Sequence, residues 1–353
     1  MLEVNWMGLL YDTSQLVENI HNFLVEINIS PVGITIIGMI IAAVIVGGFV
    51  AINTMMLVLA ERKVAGHIQD RLGPMRVGFH GILQTLADAI KLMLKENIMP
   101  KVADKWTFFF APIIVFAPAM MAYVVLPWSP GLIVRDLNLG LLYLMAVGSI
   151  GIIGIIIAGW ASGNKYSLLG GIRSSAQIVS YEVAMSLSVI GVIMLCGSLK
   201  MGDIVDAQKQ CWYIIKQPLA FFLFIIAATA ECNRAPFDLP EAESELIAGF
   251  HTEYSGIKFA MFFLAEYANM FVAAAIATTL FLGGWHGIPG LPMVLPPIVW
   301  FLLKTYMIIF VFMWFRWTYP RIRVDQLMSF GWKVLLPLGF VNIGITGLVM
   351  VLI

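Results

Sequence analysis

Glu182, Glu266 and Lys304 stand inside stretches that are otherwise apolar. An ionisable side chain at the centre of a membrane helix costs at least about 2.5–3.5 kcal/mol on insertion scales. Three of them cost roughly 8–10 kcal/mol, comparable to the whole net stability of a domain. Groups kept at that cost mark a proton relay, an ion path or a ligand site. A static buried Lys–Glu pair is the plain structural alternative. Glu182 shares one helical face with Ser175 and Ser186, and Asn269 follows Glu266 one turn later. Glu61 and Glu231 stand at the inner ends of two further apolar stretches and would extend the carboxylate chain towards the inner surface. The chemistry that these five groups offer is reversible protonation.

Two long polar segments flank them. In 231–258, Glu231, Asp238, Glu241, Glu243, Glu245 and Glu253 face only Arg234 before Lys258. Asp238-Leu-Pro-Glu241 reads as a helix-capping box, which accounts for two acids. Glu243, Glu245 and Glu253 are left, and crowded carboxylates raise one another's pKa. The choice is between a proton-exchanging cluster and a solvated acidic face. In 62–105, Gly66, Gly73, Pro74, Gly78 and Gly81 imply a shaped, turning segment instead of a continuous helix. A helical pattern follows at 82–95. Ile82, Leu86, Ile90 and Met93 share its apolar face, and Gln84, Asp88, Lys91 and Lys95 its polar one. This is either an interfacial anchor or the roof of a cavity open to the bilayer. The five histidines are scattered. The three cysteines have no metal-ligand spacing, although Cys196 and Cys211 fall on one side, where a disulfide is conceivable.

The elements that must position these groups follow from composition. Of 353 residues, 60% are hydrophobic and 12% charged, and the mean hydropathy is +0.91. So few charges cannot cover a water-soluble surface, and a net charge of zero gives no footprint for nucleic acid. The expected fold is an all-α integral membrane protein. Eight stretches are long enough to cross, near 34–59, 106–127, 139–161, 177–196, 212–230, 259–282, 294–315 and 334–353. The fifth is weakest, with Lys216 and Pro218 in its first turns. Lys and Arg gather in the loops 62–105 and 316–333, which places both on the inner side with 231–258. Both termini are then outside. Residues 1–30 form a separate surface segment, in which Leu16, Ile20, Phe23 and Ile27 outline a short amphipathic helix.

Several blocks in order carry a resemblance. They are E-R-K-x-x-G-x-x-Q-x-R-x-G-P at 61–74, V-G-F-H-G-I-L-Q at 77–84, and A-E-C-N-R-A-P-F-D-L-P-E-A-E-S-E-L at 230–246. G-F-H-T-E-Y-S-G at 249–256, A-E-Y-A-N at 265–269 and R-x-x-x-P-R-x-R-x-D-Q-L-M at 316–328 complete the set. In these the chain resembles the H subunit of NADH–quinone oxidoreductase (respiratory complex I), called subunit 1 in mitochondria. Thr85, where that family usually has Pro, is a departure.

The resemblance implies a membrane subunit that forms the wall and entrance of a quinone chamber and carries no redox centre of its own. NADH, flavin and iron–sulfur clusters would sit on hydrophilic partner subunits at the inner face. Antiporter-like and small membrane subunits would be its neighbours in the bacterial inner membrane. It assigns Arg62, Lys63, Gln69, Arg71, Asp88, Lys91, Arg234 and Phe250 to the quinone chamber or its mouth. Asp238, Glu241, Glu243, Glu245 and Glu253 become a coupling loop, and Glu61, Glu182, Glu231 and Glu266 a proton relay. Two alternatives stay open: a related subunit of a membrane-bound hydrogenase or deazaflavin-dependent complex, and a stand-alone proton-coupled transporter.

Overall fold

The computed structural model describes residues 30–239, 243–290 and 295–352, with 243 and 244 described by backbone alone. The amphipathic segment expected around Leu16–Ile27 and the capping box at Asp238–Glu241 lie wholly or partly outside these residues. Among the described residues the regular secondary structure is helical, apart from one isolated bridge between Ser129 and Leu132.

Helix α1 runs from Pro31 to Ile68. Ser30 caps it through a 3.2 Å hydrogen bond accepted from the Gly33 N–H, and Pro31 occupies the first turn, where its missing donor costs nothing. The N-terminal half of α1 presents Val32, Met39, Val44 and Ile45 to the surroundings, as a lipid-facing helix does. Its C-terminal half buries Asn53, Leu57, Glu61 and Ala65 along one stripe at helical spacing. A side-lying helix α2, Gln84–Leu94, follows. Then come α3 (Lys105–Ala122), α4 (Gly140–Ala161), α5 (Lys165–Cys196), α6 (Met201–Asp206), α7 (Tyr213–Lys216) and α8 (Pro218–Glu231). Next are α9 (Glu243–Leu246), α10 (Gly256–Phe281), α11 (Pro297–Thr318) and α12 (Val324–Phe330), which passes through a π-helical turn into α13 (Leu336–Leu352). The centre of the bundle is α10, which packs against α1, α3, α8 and α11.

Among the described residues seven helices are long and apolar enough to cross a membrane: α1, α3, α4, α5, α10, α11 and the continuous α12–α13. The fifth expected span is the one that falls short. Gln217 adopts φ −135° and ψ 62°, Pro218 cannot continue the preceding turn, and the apolar stretch divides into α7 and the 14-residue α8. At 1.5 Å per residue α8 is about 21 Å long, less than the roughly 30 Å hydrocarbon layer. It is nonetheless enclosed: Leu223, Phe224, Ala227 and Ala228 have no exposed surface.

Two boundaries also differ from the hydropathy reading. Helix α1 continues through Gly66 to Ile68. Helix α5 begins at Lys165, not near 177, capped by the Asn164 side chain, which accepts from the Tyr166 N–H at 2.9 Å. The first turns of α5 are polar because they face the protein interior. Ser167 donates to the Phe250 carbonyl at 2.9 Å, and Ser174, Ser175 and Gln177 are buried. Hydropathy counts apolar residues, but a bundle also buries polar ones that find partners. Gly154 and Gly159 of α4 serve close packing: a Cβ at Gly154 would meet Val115 Cγ2 at 2.5 Å, and one at Gly159 the Ser167 carbonyl oxygen at 2.8 Å. All three cysteines are free thiols.

Candidate functional site

One end of the bundle holds a buried ionic cluster built from four elements. Glu61 comes from the last turns of α1, Arg234 from the chain just after α8, Glu266 and Tyr267 from α10, and Arg316 from the last turn of α11. Arg234 is 2% exposed. A guanidinium at that depth survives only with partners. Its Nη1 donates to both Glu61 oxygens, at 3.1 and 2.9 Å. Its Nη2 lies 3.0 Å from Glu266 Oε1, an ion-pair distance without hydrogen-bond geometry. Its plane lies over the Tyr267 ring, 4.5 Å from the centroid. Glu61 also accepts from Arg316 Nη1 at 2.5 Å and from the Tyr267 hydroxyl at 2.8 Å. Two carboxylates balance two guanidiniums. Burial opposes the Arg234 charge, but Glu266 and Glu61 outweigh it and hold the group protonated.

A second carboxylate pair lies on α4. The Ser149 hydroxyl donates to Glu182 Oε1. Glu231 Oε1 lies 3.6 Å from the position a Cβ would take at the adjacent Gly148. Gly148 and Ser149 thus bring the carboxylates of α5 and α8 to neighbouring points.

Both groups border one cavity of about 770 Å³. Its wall includes Glu61, Glu231, Glu266 and Arg316, and it reaches Arg62 and the turn Arg71–Pro74 at its mouth. Apolar side chains such as Val115, Phe224, Phe250 and Ile276 make up much of the rest. The mouth is shaped by Gly66. A Cβ there would meet the Arg71 carbonyl oxygen at 2.8 Å and Gly73 N at 2.9 Å. This glycine lets the chain fold back against the end of α1 instead of breaking the helix. Arg71 Nε donates to Gln69 Oε1 at 2.7 Å, and Lys63 packs under Gly73. Arg62 pairs with Asp88 at 2.6 Å and thereby ties α2 to α1; Gln84 steadies the same carboxylate at 3.2 Å. Lys91 is exposed on α2.

The acidic segment is tied down piece by piece. Gln177 Nε2 of α5 donates to the Ala230 and Phe237 carbonyls, each at 2.8 Å. Asp238 lies 3.3 Å from Arg321; burial raises its carboxyl pKa while Arg321 and Arg316 pull it down. Glu245 pairs with Arg173 at 2.7 Å, and Glu253 accepts from Asn164 at 2.7 Å. Glu241 and the Glu243 side chain fall outside the described residues. Backbone meets backbone where Gly170 of α5 touches the turn: a Cβ there would lie 2.7 Å from Gly249 Cα. Just before it, Ile247 holds φ 66°, a left-handed conformation that a β-branched residue adopts only under strain. His251, on the cavity wall, has its pKa lowered by burial to about 4 and is neutral at pH 7.

Lys304 stands apart from these carboxylates. Its ammonium donates to the carbonyls of Leu282, Gly284 and His286, at 2.6, 3.1 and 2.5 Å. These carbonyls follow the last turn of α10, whose unpaired acceptors and negative dipole end favour a cation. The structure thus gives Lys304 the place of a helix cap, not a partner for Glu182 or Glu266. Arg316, Tyr267, Ser149 and Gln177 were not among the residues singled out by sequence. Tyr267, next to Glu266, and Arg316, which opens the 316–328 block, carry a local signal; the other contacts span distant segments.

Residues 40–347 match the family profile described as NADH dehydrogenase. The chain belongs to the family of NADH-quinone oxidoreductase H subunits. It is 57% identical over 293 residues to the NADH-quinone oxidoreductase H subunit of Anoxybacillus flavithermus, covering 83% of this chain and 88% of that one. The H subunit numbered 1 of Geobacter sulfurreducens is 52% identical over 334 residues, covering 89% and 95%. The protein of Geobacillus kaustophilus is 54% identical over 293 residues, covering 83% and 88%. The matched span takes in the ionic cluster, the carboxylate pair and the cavity mouth, so the whole site lies within the part that this family shares.

Proposed function

We propose that this chain is the quinone-facing membrane subunit of a proton-translocating NADH–quinone oxidoreductase in a bacterial cytoplasmic membrane. The observation that carries the reading is the cavity that joins an arginine-bearing mouth to three carboxylates. A quinone needs an apolar channel for its tail, polar donors near its carbonyls and a supply of protons on reduction. The apolar wall, the Arg62 and Arg71 guanidiniums and the Glu61, Glu231 and Glu266 carboxylates meet these needs in turn. The names of the relatives support NADH as donor and quinone as acceptor, over a hydrogenase or deazaflavin-dependent complex. Flavin and iron–sulfur clusters belong, on this reading, to hydrophilic partners docked at the inner face. Antiporter-like and small membrane subunits take the bilayer flanks.

In the mechanism, quinone enters from the bilayer beside α2. Reduction changes the charge at the inner end of the cavity. Glu61, Glu266 and Arg234 share a hydrogen-bonded and ionic network, so a proton gained by one carboxylate shifts the others. Glu231 and Glu182 receive that change through the cavity wall and Ser149. Lys304, held by carbonyl oxygens, lies apart from these carboxylates. Short α8, entered through α7, makes the eighth crossing, so both termini face outward.

Arg71→Ala in the assembled complex tests the quinone assignment. The expected result is a raised apparent KM for short-chain quinone and altered sensitivity to quinone-site inhibitors, with NADH oxidation by a hydrophilic acceptor unchanged. Arg71→Lys, which keeps the charge but not the planar fork, is expected to be intermediate. Unchanged quinone kinetics per assembled complex would reject the assignment.

A further inference from the structure

The end of the bundle opposite the ionic cluster is closed around a single charge. From Arg316 back to Lys304 along α11 is about 18 Å at 1.5 Å per residue. Lys304 is 3% exposed. Its bonds to the Leu282, Gly284 and His286 carbonyls need three N–H donors, which an ammonium has and a neutral amine has not. The Trp212 ring covers the same nitrogen, 4.6 Å from its centroid. Beside it, Gln208 spends both ends of its amide. Its Nε2 donates to the Ile204 and Thr279 carbonyls, and its Oε1 accepts from the Tyr213 and Gly283 N–H groups. Beyond the ammonium lie His286 and Asp206, 3.2 Å apart, with about half of the Asp206 side chain exposed. Lys304 therefore stands between that surface and the interior.

On its other side, polar side chains punctuate the seam between α1, α10 and α11. Thr305 Oγ1 lies 3.3 Å from Thr278 Oγ1. Tyr306 donates to Asn53 Oδ1 at 2.7 Å, and Asn53 Nδ2 has no hydrogen-bond partner among the described residues. Two turns further along α1 stands Glu61. Apolar packing alone thus does not separate the far surface from the ionic cluster. A helix end needs only donors for its last carbonyls, and neutral groups can supply them. A full charge at this depth is costly and calls for a further reason. Carbonyl oxygens cannot take a proton from the ammonium, so it repels cations without relaying protons.

We propose that the Lys304 ammonium is an electrostatic plug, whose fixed charge stops protons from leaking along the α1–α10–α11 seam between the far surface and the Glu61 cluster. Positive charges fixed in a pore wall exclude protons and other cations in the same way. The inference rests on the reading of this chain as part of a proton-translocating complex, since only a coupled membrane must be kept tight.

The test reconstitutes the intact complex into phospholipid vesicles holding a pH-sensitive dye. A pH gradient is imposed in the absence of NADH, and its decay is followed. Lys304→Gln keeps N–H donors but loses the charge, and the gradient is expected to decay several-fold faster than with the wild type. Lys304→Arg keeps the charge and is expected to decay near the wild-type rate. A wild-type rate in Lys304→Gln would overturn the proposal. So would a Lys304→Arg complex as leaky as Lys304→Gln, because packing and not charge would then make the seal. Should Lys304→Gln not assemble, Lys304→Met, an unbranched neutral side chain, is read in the same way. If neither neutral variant assembles, the charge serves folding and the plug is rejected. The gradient is imposed rather than pumped, so its decay reads the seal alone; a failure of the functional reading shows in the Arg71 kinetics instead.

Discussion

Arg234→Met removes the cation at the centre of the ionic cluster while keeping an unbranched apolar side chain over the Tyr267 ring. Arg234 faces Glu61 at 2.9 Å and Glu266 at 3.0 Å, with 2% of its side chain exposed. At an effective dielectric of 20, charges about 3–4 Å apart attract by about 4–5 kcal/mol. Breaking such a buried pair costs about 3–5 kcal/mol, because a carboxylate is left without compensation. Arg316, 2.5 Å from Glu61, still answers one carboxylate, so the lower end of that range applies. A loss of about 3 kcal/mol lowers the ratio of folded to unfolded subunit by roughly a hundredfold. The excess negative charge then sits on Glu266. Adding Glu266→Gln restores the balance of Arg316 with Glu61 and should return about 1–2 kcal/mol. The assay is the fraction of complex surviving a temperature ramp on native gels, for the wild type, both single variants and the double variant. The double variant is expected to outlast Arg234→Met. If it is less stable than Arg234→Met, charge balance is not what holds the cluster together.

Glu182→Gln preserves the Ser149 hydrogen bond but cannot ionise. It should leave complex content unchanged and lower proton translocation per quinone reduced, read by a pH-sensitive dye in vesicles; full coupling would remove Glu182 from the relay. His251 has a folded pKa of about 4 against 6.5 unfolded. Its contribution to stability is therefore fully present above pH 6.5 and is lost as the pH falls from 6.5 towards 4, by roughly 3 kcal/mol in all. His251→Gln should flatten the acid side of the complex's heat-inactivation profile, and an unaltered profile would contradict neutral burial of the ring. A cysteine at Gly131 should react with an impermeant thiol reagent added outside intact cells and one at Arg323 should not; the reverse pattern would invert the topology.

Much of the site was legible because membranes make charge expensive. Glu182 and Glu266 stood out in apolar stretches, and the structure places each beside a hydrogen-bonding or ionic partner. For Lys304 the same rule showed the cost but not the partners, since nothing local in the sequence shows which carbonyls a side chain will reach. The partners of Glu61 were hidden for a related reason. Arg234 and Arg316 belong to distant segments, and only the folded bundle brings them together. Pro218 and Lys216 already weakened the fifth span, and Pro218 is where the helix breaks. The early start of α5 was not visible, because Ser167, Ser174 and Gln177 look like loop residues until Phe250 and the 230–237 turn are there to receive them.

The contact between Gly170 and Gly249 sets how motion can pass through the molecule. Two side chains in contact can take up a displacement by changing rotamer, and the elements behind them need not move. Here main chain rests on main chain, so there is no compliant layer. A push from the 247–252 turn towards α5 must be taken up by α5 as a whole. Two turns further along that helix stands Gln177, which grips the 230–237 turn, and beyond it Glu182. The strained Ile247 lies on the loop side of the same contact. In the proposed coupling the pair of glycines is the fulcrum: the acidic segment is the loaded arm, and the carboxylate in the membrane rides on the other.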